Sequence, residues 1–396
     1  MINPWYTYVF SFSLVLFCYS LGWSELYPSL TWNLLLFLLT TFIVSVVIGC
    51  RHRTSFIFKD INYDKNLYRI TVYLYFLWIT QFIYAKGIPL VKVIRGEYYD
   101  YTQFGIPTLH VFIVTFSSFF TVYLFHVYIC NKKSNLLIIY LLNLLPPILI
   151  VNRGMFLINL VSCLFVYLIY YSNKNIEFIK IAKKGVSILL ILFLILFGFG
   201  AIGNLRTASQ LADKNSNLEN FILDVGEASP GFINSPIPKE FFWAYLYISS
   251  PLANLQTNIN DDKYLDLDLT NFIMFINTQL LPDFISKRIN TIYDADTKQP
   301  ILMVNALTVS SVYAASYVYL SWLGVVIMSI FIIIFPLFYI SFLSKKSKYY
   351  VTAIAILNSL YLFLIFDNMF SFSGLSLQLL YPLIFHKLDK MKLIGR

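Results

Sequence analysis

At 396 residues the chain is long enough for two or three soluble domains. Its composition excludes them: 58% of residues are hydrophobic, 18% aromatic and only 12% charged, against roughly 25% charged in soluble domains. The net charge of +9 does not point to nucleic acid as a partner, because the basic residues gather in connectors on one side of the apolar runs, a mark of membrane topology rather than of a nucleic-acid surface.

Those runs are about 20 residues long, the length that crosses a bilayer as a helix. They predict an all-α polytopic integral membrane protein with ten spans, at 5–22, 30–50, 67–85, 108–130, 136–151, 155–171, 186–203, 318–343, 349–367 and 370–386. The N-terminus lacks a basic segment and a small-residue cleavage site, so the first run is expected to be retained. Alternate connectors are basic. Arg51, Arg53, Lys59, Lys65 and Arg69 begin one group, which continues at Lys132, Lys174, Lys345 and Lys387 and reaches 18 basic residues against four acids. The positive-inside rule places that group, and both termini, in the cytoplasm.

Residues 204–317 form one large polar insert between spans seven and eight, expected on the outer face. Within it Phe241–Ile259 and Pro300–Tyr317 are uncharged. If both crossed, the count would be twelve; the Trp243, Tyr245 and Tyr247 cluster favours an interfacial position and ten. Cys18, Cys50, Cys130 and Cys163 lie in or beside apolar runs, so no disulfide framework holds the insert. The glycines of Gly198-Phe199-Gly200-Ala201-Ile202-Gly203 end a span with no strand before them, which argues against a dinucleotide site.

Lone charges give the sharpest functional signal. Arg153 is the single charge between Leu136 and Tyr171, and Arg206 follows the charge-free run Gly185–Leu205. A guanidinium there suits a phosphate ligand through its planar fork of donors, and equally suits snorkelling to lipid headgroups. Lys239 and Arg288 are further phosphate-binding candidates in the insert. The loop from Lys86 to Pro107 carries Glu97, Tyr98, Tyr99 and Asp100, a mix suited to sugars, with ring faces on pyranose C–H groups and carboxylates on hydroxyls. His110, Glu97, Asp100, Asp224, Glu227 and Glu240 compete as general base, and the sequence does not rank them. No residue set has metal-ligand spacing; Asp266-Leu267-Asp268 comes nearest to an Asp-x-Asp motif.

Four stretches resemble the O-antigen polymerase family (Wzy-type, oligosaccharide repeat-unit polymerase): Lys86-Gly87-Ile88-Pro89 with Phe104-Gly105-Ile106-Pro107, Asn152-Arg153-Gly154, Trp243 to Leu255, and Asn305-Ala306-Leu307-Thr308. The resemblance implies an inner-membrane glycosyltransferase without metal or cofactor, joining undecaprenyl-pyrophosphate-linked repeat units at the outer leaflet. The product would be O-antigen or capsule-type polysaccharide. It implies lipid-linked glycans, membrane lipids and a chain-length regulator protein as partners, and functional roles for Arg153 and Arg206. The glycine that follows an outer-loop arginine in some members is not reproduced after Arg206, and Tyr319–Gly324 lacks the expected acid. A flippase is the alternative from another class, disfavoured by charge-free span centres and the absence of like halves. An O-antigen ligase would share the chemistry.

Overall fold

The computed structural model describes residues 2–97, 104–172, 221–261 and 268–394. The expected span 186–203, Arg206, Tyr98, Tyr99 and Asp100 lie outside them. Among the described residues the regular elements are helical, apart from one isolated bridge between Ser24 and Ala228. In chain order they are α1 (Pro4–Ser20), α2 (Trp32–Arg51), α3 (Asn66–Tyr84), α4 (Pro89–Ile94), α5 (Leu109–Asn131), α6 (Ser134–Asn143), α7 (Leu145–Leu149) and α8 (Arg153–Ser172). The insert follows with α9 (Phe221–Val225), α10 (Pro230–Ile233), α11 (Phe241–Asn260), α12 (Leu269–Phe275) and α13 (Asp283–Tyr293). The last group is α14 (Val312–Phe342), α15 (Tyr350–Phe363), α16 (Ser373–Ser376) and α17 (Leu380–Ile394).

By length and composition α2, α5, α8 and α14 can each cross a membrane, which makes this a multi-pass membrane protein. Their packing differs: 78% of the apolar window of α5 is buried inside the protein, against 28% for α2. Thus α5 is a central post and α2 a stave that turns most of its apolar side chains outward. The other central element, α15, is buried on every face from Tyr350 to Tyr361. A helix apolar all round has to be enclosed, and α1, α5, α8 and α17 enclose this one. Polar pins fix its rotation: Thr7 Oγ1 donates to Asn358 Oδ1 at 2.6 Å, and Ser162 Oγ to Ser359 Oγ at 2.8 Å. Without a hydrophobic drive between helices in lipid, such contacts carry much of the specificity, at about 0.6 kcal/mol each.

Prolines supply a second layer of order. A proline frees the carbonyl four residues before it, and in lipid that group must find a partner. Pro146 frees Leu142, whose oxygen accepts from Tyr75 Oη at 2.7 Å; Pro147 frees Asn143, whose oxygen accepts from Thr121 Oγ1 at 3.1 Å. Pro336 frees Ile332, whose oxygen accepts from the Tyr361 hydroxyl. Each helix break is thereby stitched to a neighbouring helix.

Three expected spans are corrected in form. The run 136–151 is not one helix but α6 and α7, because the Pro146-Pro147 pair interrupts the ladder. The run 318–343 begins six residues earlier, at Val312, and breaks at Leu320 (φ −135°) and Ser321 (φ 51°). Gly324 permits that break: a Cβ there would lie 2.2 Å from the Ser316 carbonyl oxygen. The run 370–386 is α16, a single 3-10 turn at Leu377–Leu379 and then α17. Its start is drawn into a turn by Asn368 Oδ1, which accepts from the N–H groups of Phe370 (3.1 Å) and Ser371 (3.4 Å).

Within the insert, α11 packs against α1 and α14. Both halves of α11 touch the connector between α1 and α2: Tyr245 stacks on Tyr27 at 5.6 Å, and Gln256 Oε1 accepts from Thr31 N–H at 2.9 Å. A 20-residue helix is about 30 Å long, so a single short connector meeting both halves runs alongside it. Asn254 and Asn258, one turn apart, then hold the chain that leads into α14. Asn254 Nδ2 donates to Leu307 O and Val309 O, both at 2.8 Å; Asn258 Oδ1 accepts from Ile301 N–H at 2.9 Å. Residues 301–309 are therefore a non-helical segment, with a turn closed by Leu307 N–H donating to Val304 O at 2.9 Å, zipped onto α11.

Candidate functional site

A cavity of about 540 Å³ opens where the insert meets the bundle. Gly154, Leu157 and Ile158 of α8 form one wall; Ala244, Tyr247 and Ile248 of α11 face them, with Val309 of the zipped segment. Phe363, at the end of α15, and Phe366, Asp367, Met369 and Phe372 of the following connector complete it. Two of the four stretches singled out in the sequence thus border one cavity, Asn152-Arg153-Gly154 and the Trp243–Leu255 stretch, and Val309 follows directly on a third, Asn305–Thr308. Among the described residues the lining is apolar and aromatic with one carboxylate, the composition that packs sugar rings or lipid and leaves orientation to a few polar groups.

Arg153 is the first residue of α8. The turn before it is held in a costly conformation, with β-branched Val151 at φ 57°, and is closed by Asn152 N–H donating to Pro147 O at 2.9 Å. Asn152 caps the helix, its Oδ1 accepting from Met155 N–H at 2.9 Å and its carbonyl from Phe156 N–H at 3.1 Å. That leaves the Arg153 and Gly154 N–H groups without an intrahelical acceptor. They stand beside an exposed guanidinium, at the positive end of a 20-residue helix dipole. An anion at this rim would meet all three.

The other candidates are dispersed. His110 lies in the first turn of α5, its ring 6.1 Å from Trp78 and 5.3 Å from Phe104, both edge-on. Its Nδ1 is buried with no hydrogen-bond partner, and it does not line the cavity. Arg288 donates from Nη2 to the Thr108 hydroxyl. Lys239 is taken up locally, its Nζ donating to Phe232 O and Ser235 O at 3.0 Å each. Glu97 is exposed just after α4. Asp268 caps α12, accepting from Asn271 N–H at 2.6 Å, which gives the carboxylate of the D-L-D stretch a structural task. Among the described residues no three His, Cys, Asp or Glu side chains are grouped to hold a metal ion.

Asp367 was not among the sequence candidates, although the signal that singled out Arg153 applies to it. It is the single charge between Lys348 and Lys387. Its connector is clamped from three sides. Leu364 O accepts from Val312 N–H at 3.0 Å, and Asn368 Nδ2 donates to Gln279 O at 2.7 Å and to Gln279 Oε1 at 3.1 Å. Ser371 O accepts from Asp283 N–H at 2.7 Å, and Asp283 Oδ1 in turn receives the Ser373 N–H at 3.1 Å and the Ser373 hydroxyl. Accessible from the cavity yet surrounded by apolar groups, the Asp367 carboxyl has its pKa raised. Desolvation is the main cause; the Asn368 N–H opposes it, donating to Oδ1 at 2.7 Å, and the Asp283 charge adds to it.

Compared with known proteins, the chain matches no curated protein and no solved structure. Among protein families, residues 6–230 match the one described as O-antigen polysaccharide polymerase Wzy. The match takes in Arg153 and its turn, whereas Asp367 lies beyond it. Covering more than half of a multi-pass helical chain, it shows that the protein belongs to the O-antigen polysaccharide polymerase Wzy family and that its function is of the O-antigen polymerase type.

Proposed function

We propose that the protein is a glycosyltransferase that joins undecaprenyl-pyrophosphate-linked repeat units at the outer leaflet of the bacterial inner membrane, with both termini in the cytoplasm. The single observation that carries this is the position of Arg153: an exposed guanidinium and two open N–H groups at the rim of an apolar, aromatic cavity. The donor's pyrophosphate sits at that rim, its lipid runs along the bundle, and the sugars occupy the cavity. The acceptor hydroxyl of a second lipid-linked unit attacks the donor's anomeric carbon. The bond from that carbon to the pyrophosphate oxygen breaks, and the leaving group keeps the electron pair. Direct displacement inverts the anomeric centre.

Arg153 and the start of α8 stabilise the charge that builds on the leaving group, the task a divalent ion performs elsewhere, so we assign the reaction to a metal-independent mechanism. Holding two lipid-anchored reactants side by side supplies much of the remaining gain through orientation. Arg206 is retained as a second phosphate contact, and a chain-length regulator as a partner.

The test is the length ladder of surface polysaccharide in cells carrying Arg153→Ala or Arg153→Lys, with protein abundance measured alongside. A lost charge-assisted contact to a leaving group costs about 2–4 kcal/mol, or about 30- to 1,000-fold in rate. Both variants should insert normally and leave single repeat units, since lysine keeps the charge but not the planar fork. A full ladder from Arg153→Ala at normal abundance removes Arg153 from the mechanism.

A further inference from the structure

We propose that Asp367 is the general base of this reaction: its carboxylate accepts the proton of the acceptor hydroxyl as that oxygen bonds to the donor's anomeric carbon in the cavity. The assignment rests on the polymerase reading above and names the residue that reading lacks. In balance, the C–O bond to the pyrophosphate breaks as the new C–O bond forms. The proton moves from the acceptor oxygen to Asp367, and the lipid pyrophosphate departs at the Arg153 rim.

Four observations support it. Among the described residues Asp367 is the single charged side chain lining the cavity, and the cavity also reaches Gly154, the neighbour of Arg153. The base and the leaving-group contact therefore border one space from two different walls. Neither charge is neutralised by the other, for the ion pairs among the described residues are Lys287–Asp283 and Lys348–Asp389. The rival carboxylates Glu97, Asp224, Glu227 and Glu240 do not line the cavity, and neither does His110.

Position is also fixed in advance. The clamps on Leu364, Asn368 and Ser371 hold the connector to α14, to the π-turn Ile276–Leu280 and to α13. Phe363, Phe366 and Phe372 line the same space, so a sugar ring packed on them would present its hydroxyls to the carboxylate. The raised carboxyl pKa fits the role as well, since a base closer to neutrality accepts a proton more readily.

The experiment compares wild type, Asp367→Asn and Asp367→Glu in a host whose own polymerase is deleted. It reads the polysaccharide ladder and the protein's abundance and detergent melting temperature. Asp367→Asn keeps an oxygen for the Asn368 N–H and removes the base. General-base catalysis is worth about 10²- to 10⁴-fold, so the ladder should collapse to single units at normal abundance and melting temperature. Asp367→Glu keeps a displaced carboxylate and should restore short chains, with polymer per protein at least about tenfold below wild type.

A full ladder from Asp367→Asn overturns the assignment and leaves the polymerase reading standing. If the amide lowers abundance, Asp367→Glu decides: polymer per protein equal to wild type means that Asp367 serves the fold alone. Failure of wild type itself to make a ladder overturns the polymerase reading, and this assignment with it.

Discussion

Residues 104–108, which lead into α5, and the turn before α8 are built alike and end differently. Each leads into a long apolar helix, each carries a residue suited to chemistry, and they share one buried cluster in which Trp78 and Phe104 pack with Ile150 and Met155. Around His110 the loop is closed. Gly105 holds φ 92°, Gln81 Oε1 accepts from Ile106 N–H at 2.9 Å, and the half-buried imidazole meets two aromatic rings edge-on. Around Arg153 the turn is open, and its guanidinium and first N–H groups face outward beside the cavity. A titratable side chain at a helix start is thus not enough for a site; what distinguishes the two is whether the cavity described above adjoins it. The closed loop is the footing on which the open turn stands.

Gly105→Ala tests that footing with the largest expected effect. A Cβ there would lie 2.4 Å from Gln81 Oε1 and 2.6 Å from His110 Nδ1, at a φ that side chains rarely adopt. Backbone strain costs about 1–2 kcal/mol and overpacking a further 1–3, so a loss of about 3 kcal/mol in stability is expected. Detergent thermal denaturation and membrane abundance measure it. Because Ile150 and Met155 rest on the same cluster, polymer per protein should fall too. A variant as stable as wild type would mean that the loop is not closed in the way described.

Ala244→Phe probes the open side with an intermediate effect. Ala244 is 5% exposed and lines the cavity from α11, so a phenyl ring there projects into space meant for substrate. We expect near-normal melting, since the space exists, and polymerisation slowed about tenfold, equivalent to about 1.4 kcal/mol. Shortened ladders read the change directly. An unaltered ladder would place the sugars elsewhere.

Much of this contrast was legible in the sequence, and the remainder was not for identifiable reasons. Apolar runs located the helices because bilayer thickness fixes their length. Lone charge identified Arg153, because an isolated guanidinium in such a run must serve something. The same rule reaches Asp367, which was absorbed into the end of a predicted span. Hydropathy did not show the clamps made by Asn254, Asn258 and Asn368, because uncharged amides inside apolar stretches look like tolerated polar residues until their partners are known. Nor could it place the start of α16, where Ser373 bonds to Asp283 and Phe284, residues some 90 positions away in the insert.

His110→Gln carries the smallest expected effect and sharpens the comparison from the closed side. The substitution removes two edge-on ring contacts, each worth about 0.5–1.5 kcal/mol beyond area. It also removes an unpartnered Nδ1 next to the equally unpartnered Gln81 Nε2, and a buried polar atom left unsatisfied costs about 1–3 kcal/mol. A glutamine carbonyl can accept from the Gln81 amide, so the two changes largely offset, and stability should move by about 1 kcal/mol or less. Polymer per protein should stay within about twofold of wild type, because His110 is not among the described residues that line the cavity. The measurement is the same ladder, normalised to abundance. A collapse of about 100-fold or more at normal abundance would return His110 to the position of general base, and would require the closed loop to open when substrate binds.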